Sequence, residues 1–334
     1  MLLSLDKMEF PFCFINKLIS RYKSSNTVNR YPNNELMSLC KLKVLRFFKL
    51  SNNYDVLIGN GSDEIISIII SSSCNNRYIA LYRPTFDMYL KYCILYKKKL
   101  ISISLIRPNF KIRYILSNII PRCSVIFICY PNNPTGNIFN FSKLLSIIKY
   151  NPNTTFVIDE AYFFYSNVTL IKYANIYNVL ILRTLSKVGF AGIRIGFLIG
   201  SPTNISTFYK KKSPYNIGIY QINIINIFLT SNIIKLINIG IKRILIEKNL
   251  LVYLLNKTKI ITYLNSYCNF ILFRSLESSF KLLFSPFIKL RGIYIFGIYY
   301  YRVSIGSRKE MIPFYKDIFR NDRRFRFRKK NKGN

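Results

Sequence analysis

Short apolar runs that alternate with helical patterns, most of them ending in polar residues, constrain this chain more than any other feature. Strand-like runs are expected at residues 56–58, 78–82, 124–130, 155–159, 179–182 and 196–200. Helical spacing separates several of them, as in residues 141–150 and in the series Leu36, Leu39, Cys40, Val44, Phe47, Phe48, which Pro32-Asn33-Asn34-Glu35 introduces with a starting signal. Strands alternating with helices predict an α/β fold with a largely parallel sheet, and such sheets bind ligands at the carboxyl ends of their strands. One of these ends is informative by itself. After Val56-Leu57-Ile58 comes Gly59-Asn60-Gly61-Ser62-Asp63-Glu64 and then an apolar helix, an arrangement that offers backbone N–H groups to a phosphate.

Beyond about residue 240 the pattern changes. A Lys-punctuated helix is expected over 241–256, then strand-like runs at 267–274 and 293–305 with a helix between them. We therefore expect an N-terminal arm over residues 1–28, a large domain over 29–240, and a smaller α+β domain with a basic tail over 241–334.

Composition removes whole classes of chemistry. The chain has no histidine among its 334 residues, so Ser-His and Cys-His nucleophile systems and His-containing zinc sites are absent. Proton transfer falls to Lys, Tyr, Cys or a carboxylate, and no metal is expected. The formal charge of +36 suggests an anionic partner in principle. That charge is spread along the chain, however, except in the tail Arg323-Arg324-Phe325-Arg326-Phe327-Arg328-Lys329-Lys330, so nucleic-acid binding is not the expected main function. Seven cysteines without a C-x-x-C pair read as reduced, mostly buried thiols. No apolar stretch has the length of a membrane span, and residues 1–7 lack the order of a signal peptide, so a cytoplasmic protein is expected.

Four local features then fall in order, each at or just beyond a strand end: Pro131-Asn132-Asn133-Pro134-Thr135-Gly136, Asp159-Glu160-Ala161-Tyr162, Thr184-Leu185-Ser186-Lys187 and Ala191-Gly192-Ile193-Arg194. Each alone is weak, since a turn or an acid after a strand is common. Together they resemble the fold-type-I, class-II pyridoxal-phosphate-dependent aminotransferases. Gly61-Ser62-Asp63-Glu64, the run from Arg83 to Tyr89, and Leu182-Arg183-Thr184-Leu185-Ser186-Lys187 resemble their histidinol-phosphate subfamily in particular. The likeness runs from Asn29-Arg30-Tyr31-Pro32 to Arg308.

The resemblance implies a large domain with a mostly parallel mixed sheet, a smaller α+β domain, and pyridoxal 5'-phosphate as cofactor. It assigns Lys187 to carry the cofactor as a Schiff base and to shuttle the proton afterwards. Asp159 would keep the ring nitrogen protonated, Tyr162 and Asn133 would bond the ring hydroxyl, and Phe86 would cover the ring face. The phosphate would be held by the backbone at Ser62 and Asp63, the hydroxyls of Thr184 and Ser186, Arg194, and Tyr31 from a neighbouring subunit, which implies a homodimer. Arg302 resembles the clamp for substrate anions, because a planar guanidinium grips a carboxylate or phosphate in two places. The implied reaction moves an amino group between glutamate/2-oxoglutarate and imidazole-acetol phosphate/histidinol phosphate, in histidine biosynthesis.

Three departures accompany the likeness. The segment from Lys187 to Arg194 is one residue short, residues 5–11 keep only Glu9 and Pro11 of the usual N-terminal segment, and the stretch after Arg291-Gly292-Ile293 is shortened and lacks an expected Arg. Reduced activity or relaxed substrate choice would suit such losses. Alternatives are a transaminase for aromatic amino acids, a related decarboxylase acting on phosphothreonine, and a basic nucleic-acid-binding relic of the fold.

Overall fold

The starting signal at Asn33 is used as expected: the Leu36 N–H donates to Asn33 Oδ1 at 2.9 Å and opens helix α1 (Asn34–Phe47) in the computed structural model. The structure describes residues 3–13, 29–112, 119–258, 261–276 and 284–321. The basic tail lies outside them, as do residues 277–283, where the helix between the two late strand runs was expected.

Seven strands form the large sheet: β2 (Asp55–Asn60), β3 (Tyr78–Arg83), β4 (Leu100–Ser104), β5 (Cys123–Cys129), β6 (Thr155–Asp159), β7 (Val179–Thr184) and β8 (Ile195–Gly200), in the order β2-β8-β7-β6-β5-β3-β4. Every expected strand of this sheet is present, with ends displaced by at most two residues, and β4 is an addition. Side chains alternate between two buried clusters, with Val56 and Ile58 on one face and Leu57 on the other, and Ile126 and Ile128 opposed to Phe127. Both faces are therefore covered, which is why these strands read as continuous apolar runs. Each such side chain contributes roughly 1.5–3 kcal/mol on burial.

One strand is reversed. β8 runs antiparallel to both of its neighbours, β2 and β7, while the remaining pairs are parallel. Its first residue therefore lies beside the last residues of its neighbours: Ile195 pairs with Asn60, and Gly196 with Thr184. Gly196 is required there, because a Cβ would come within 2.5 Å of the Ser62 backbone nitrogen at the start of helix α2 (Gly61–Ser72). The reversal brings the segment before β8 to the same sheet edge as the ends of β2 and β7.

The helix Ser231–Lys257, longer than expected at its N-terminal end, carries the chain continuously past residue 240 into a second sheet. That sheet is antiparallel, in the order β12 (Arg291–Ile295), β13 (Ile298–Ser304), β10 (Phe270–Ser275), β9 (Ile261–Tyr263). The run at 293–305 is thus a hairpin rather than one strand. Phe296 and Gly297 turn the chain with φ of 48° and 78°, and the apolar pattern continues on either side without a break. The N-terminal residues join this part of the molecule: β1 (Leu3–Ser4) pairs in parallel with β11 (Ile288–Lys289), and the Ser304 N–H donates to the Leu5 carbonyl at 2.8 Å. Five cysteines are buried, Cys13 and Cys74 are exposed, and none is paired. Among the described residues no helix is long and apolar enough to cross a membrane.

Candidate active site

The carboxyl edge of the large sheet encloses a cavity of about 300 Å³. β6 ends in Asp159, whose Cα partners are Cys129 at the end of β5 and Leu182 near the end of β7. Strand alternation separates the two acids here. Glu160 turns away and receives Arg183 at 2.8 Å, the Leu170 N–H and the Thr169 hydroxyl, a buried pair that braces the strand ends. Asp159 instead lines the cavity, 3% exposed.

Burial pushes the Asp159 carboxyl up to about 6, with the nearby Asp63 charge adding to the rise. Three groups oppose it: the Tyr89 hydroxyl donating to Oδ2 at 2.5 Å, the Ala161 N–H donating to Oδ1 at 3.0 Å, and the Lys187 charge. Desolvation prevails because only two donors replace the water around a carboxylate. A cation brought next to Asp159 would complete its ionisation.

Lys187 follows β7 by three residues and shares the cavity wall. Burial lowers its ammonium pKa first, and the Arg302 charge lowers it further, against the opposing pull of Asp63, Asp159 and Glu9. A lysine held below its ordinary range offers more of its neutral amine at a given pH than a solvated one does. Behind it, the Thr184 and Ser186 hydroxyls lie 2.8 Å apart, with the Ser186 N–H on Thr184 Oγ1 at 3.1 Å.

The opposite wall comes from α2. Its N-terminus takes no side-chain cap, and Ser62 and Asp63 reach the cavity there. Arg194 joins them despite the shortened segment. A single turn over Ala191–Ile193 tightens the return, and Arg194 adopts the left-handed conformation, φ 57° and ψ 60°, at a cost of about 1–2 kcal/mol. Its Nη2 then meets Asp63 Oδ2 at 2.6 Å, and Gly61, at φ +77°, leaves the room that a Cβ would take from the guanidinium. The two partners are 43% and 33% exposed, so this pair adds little stability, and its importance is in placing charge.

Phe86 and Asn133 complete the enclosure, together with Tyr162, which is buried and donates its hydroxyl to Met8 Sδ at 3.1 Å. All the expected site residues of the large domain except Tyr31 are thus brought together. Tyr31 stands 74% exposed with its ring stacked on Tyr215, centroids 4.1 Å apart, outside this cavity.

Arg302 lines a second cavity of about 370 Å³, which shares Lys7, Met8, Phe86 and Asn133 with the first. Its Nη1 donates to Asn133 Oδ1 at 2.5 Å and its Nη2 to the Asp6 carbonyl at 3.2 Å, while the buried Nε has no partner. Arg83, Lys91 and Arg291 line the same space, against the acids Asp6 and Asp87. Sequence reasoning missed these cations, as it missed Tyr89, Met8 and Cys129. Arg83 and Tyr89 bound a run that carried the resemblance, and Tyr89 follows Phe86 by one helical turn, but neither was given a role there.

The chain matches the family model for aminotransferase class I and II over residues 7–311. It is 31% identical over 325 residues to the histidinol-phosphate aminotransferase of Vesicomyosocius okutanii subsp. Calyptogena okutanii, covering 92% of this chain and 89% of that protein. It is 38% identical over 287 residues to the protein of the same name from Buchnera aphidicola subsp. Cinara cedri, covering 81% and 78%. The fold superposes with a TM-score of 0.81 on the histidinol-phosphate aminotransferase of Sinorhizobium meliloti solved in complex with pyridoxal-5'-phosphate, at 16% identity, covering 97% of this chain and 91% of that one.

Proposed function

The chain belongs to the aminotransferase class I and II family, and from that premise we propose that it transfers an amino group between glutamate and imidazole-acetol phosphate, with pyridoxal phosphate as cofactor. The residues present fit such a group. A buried carboxylate lacking a cation, a lysine of lowered basicity, and a wall of hydroxyls, helix amides and an arginine converge on one cavity of suitable size. Ser62 and Asp63 amides, the Thr184 and Ser186 hydroxyls and Arg194 would hold the phosphate. Phe86 would cover a ring face, and Asn133 and Tyr162 would donate to the ring hydroxyl. Tyr162 is free to do so at small cost, since thioether sulfur is a weak acceptor.

When bound, the cofactor supplies an aldehyde carbon for amines and a protonated ring that draws electrons from the substrate. Lys187 would offer its amine to that carbon, and its Nζ would hold and move the substrate's proton. Asp159 keeps the proton on the ring nitrogen. Lys7, Met8 and Glu9 form part of the wall around these groups.

The observation that carries the substrate is the second cavity. Arg302 is buried there with an unpartnered Nε, beside Arg83, Lys91 and Arg291, and buried guanidinium nitrogen calls for an acceptor. A substrate with an amine at one end and a dianion at the other would span both cavities, whereas an aromatic amino acid would offer Arg302 its carboxylate and leave Arg83, Lys91 and Arg291 without an anion. The same arginine would take the glutamate carboxylate in the other half-reaction.

Tyr31 belongs to the same proposal. It stands exposed, as do Leu39, Leu42 and Tyr220, and the protein would act as a homodimer in which Tyr31 serves the site of its neighbour. The arm over residues 1–28, the large domain over 29–240 and the small domain over 241–334 are the units of this reading, and the unpaired thiols suit the cytoplasm. The test is single-turnover absorbance of the cofactor-loaded protein with histidinol phosphate, phenylalanine and phosphothreonine. Histidinol phosphate should discharge the visible band at the lowest concentration. Discharge at lower concentration by phenylalanine would move the substrate assignment to the aromatic amino acids.

A further inference from the structure

The contact between Tyr89 and Asp159 joins two residues 70 positions apart. Tyr89 lies in the first turn of helix α3 (Asp87–Leu95) and is wholly buried. Its ring stacks on Phe127 of β5, centroids 4.7 Å apart and planes 21° apart, and meets Phe86 edge-on at 5.6 Å and 86°. One ring therefore backs the side chain that covers the cofactor cavity while its hydroxyl holds Asp159 Oδ2. The Ala161 N–H holds the other oxygen at 3.0 Å. With both oxygens fixed, the carboxylate has a single orientation toward the cavity.

We propose that Tyr89 is a positioning residue for Asp159, whose hydroxyl keeps the carboxylate aimed and weakly basic so that the proton between it and the cofactor's ring nitrogen stays on the nitrogen. This rests on the pyridoxal phosphate reading above. Tyrosine is suited to the task because it remains a donor. Burial and the Asp159 charge hold its phenol well above its ordinary value, far above the Asp159 carboxyl at about 6, so at neutral pH the phenol keeps its proton. The other groups facing Asp159 are Asp63 from α2, Cys129 from β5, Lys187 beyond β7 and Tyr162 beyond β6. Asp63 raises the basicity of Asp159 and Lys187 lowers it, while Cys129 and Tyr162 stay neutral because burial pushes both well above their ordinary values. Tyr89 and Ala161 are the only groups among the described residues that donate to the carboxylate.

Loss of the hydroxyl makes Asp159 more basic, and the shared proton passes from ring nitrogen to carboxylate. The experiment is nitrogen NMR of protein loaded with cofactor labelled with ¹⁵N in the ring, followed against pH. In Tyr89→Phe the ring-nitrogen resonance at neutral pH should move from the protonated toward the unprotonated position, the carboxylate gaining about ten- to a hundredfold in its share of the proton, the size of one hydrogen bond to a charge. Difluorotyrosine at position 89, a stronger donor of nearly the same size, should move the resonance the opposite way, toward the fully protonated position. Phe127→Leu removes the stacking but keeps the hydroxyl; it should lower the melting temperature and leave the nitrogen resonance in place. An unchanged resonance in both position-89 variants, with the visible band of bound cofactor intact, overturns the role of Tyr89. Absence of that band in the wild-type protein would instead overturn the cofactor reading on which it rests.

Discussion

Arg302 Nη1 and Asn133 Oδ1 meet at 2.5 Å, a bond that ties strand β13 of the small sheet to the turn after β5 where the two cavities adjoin. The guanidinium makes this bond, reaches the Asp6 carbonyl, and still has Nε to offer.

Lysine in that place has one nitrogen for three tasks. Arg302→Lys should lower kcat/KM about tenfold to a hundredfold for both glutamate and histidinol phosphate, the loss of one or two hydrogen bonds between charged groups. Steady-state kinetics on both donors checks it. A loss confined to one donor would mean that the other is held elsewhere.

The same arginine acts on Lys187 through space, since its charge helps to lower the lysine pKa. Arg302→Gln should therefore raise the pH at which Lys187 loses its proton. The acid limb of the rate of cofactor attachment, followed by the growth of visible absorbance, should move to higher pH in the variant. Lys187→Ala should show no such band, and turnover should fall by at least about a thousandfold, as the amine and the proton carrier vanish together. Equal pH limbs in wild-type and Arg302→Gln protein would remove the Arg302 charge from the account of Lys187.

Asp159 gives the cofactor-free protein a pH dependence of its own. Its folded carboxyl, at about 6, lies above the ordinary 3.8, so the folded state binds the proton more tightly than the unfolded chain. The associated stability is present below the ordinary value and is lost as pH rises through about 6, at most about 3 kcal/mol if the whole shift is realised. Urea melts from pH 4 to pH 7 should show wild-type protein losing stability relative to Asp159→Asn across that window. Added cofactor should reverse the sign, because its ring cation stabilises the ionised acid. A constant difference between the two proteins would mean that Asp159 ionises in the folded state as it does in the unfolded chain.

The legible part of this molecule was local. β6 was readable to its bounds because Thr155 to Asp159 is a buried run closed by an acid, and each polar cluster stood out because an apolar strand preceded it. What brings those clusters together was not local. The reversed strand β8 sets Ile195 beside Asn60 and Gly196 beside Thr184, and pairings at that separation leave no periodic trace. Tyr89 against Asp159, and Met8 against Tyr162 across 154 residues, are of the same kind. Arg194 shows the limit most clearly. Counting residues from Lys187 gives a segment one residue short, and neither the turn over Ala191–Ile193 nor the left-handed backbone at Arg194, through which the chain returns to Asp63, was legible in it.

Tyr31 provides the test of the assembly. It is exposed in the single chain and stacked on Tyr215, outside the cavity that its expected role requires it to enter. Tyr31→Ala should weaken cofactor affinity about tenfold, the loss of one hydrogen bond to a phosphate. Mixing it with Lys187→Ala distinguishes service to its own site from service to a neighbour. In a hybrid dimer the Tyr31→Ala chain keeps its own Lys187 and receives Tyr31 of the partner subunit, so one site regains every residue. Assayed at limiting cofactor, random pairing should restore about a quarter of wild-type activity, half the dimers being hybrid with one intact site each. If Tyr31 served its own chain, no pairing would assemble an intact site, and the mixture would show only the average of the two parents.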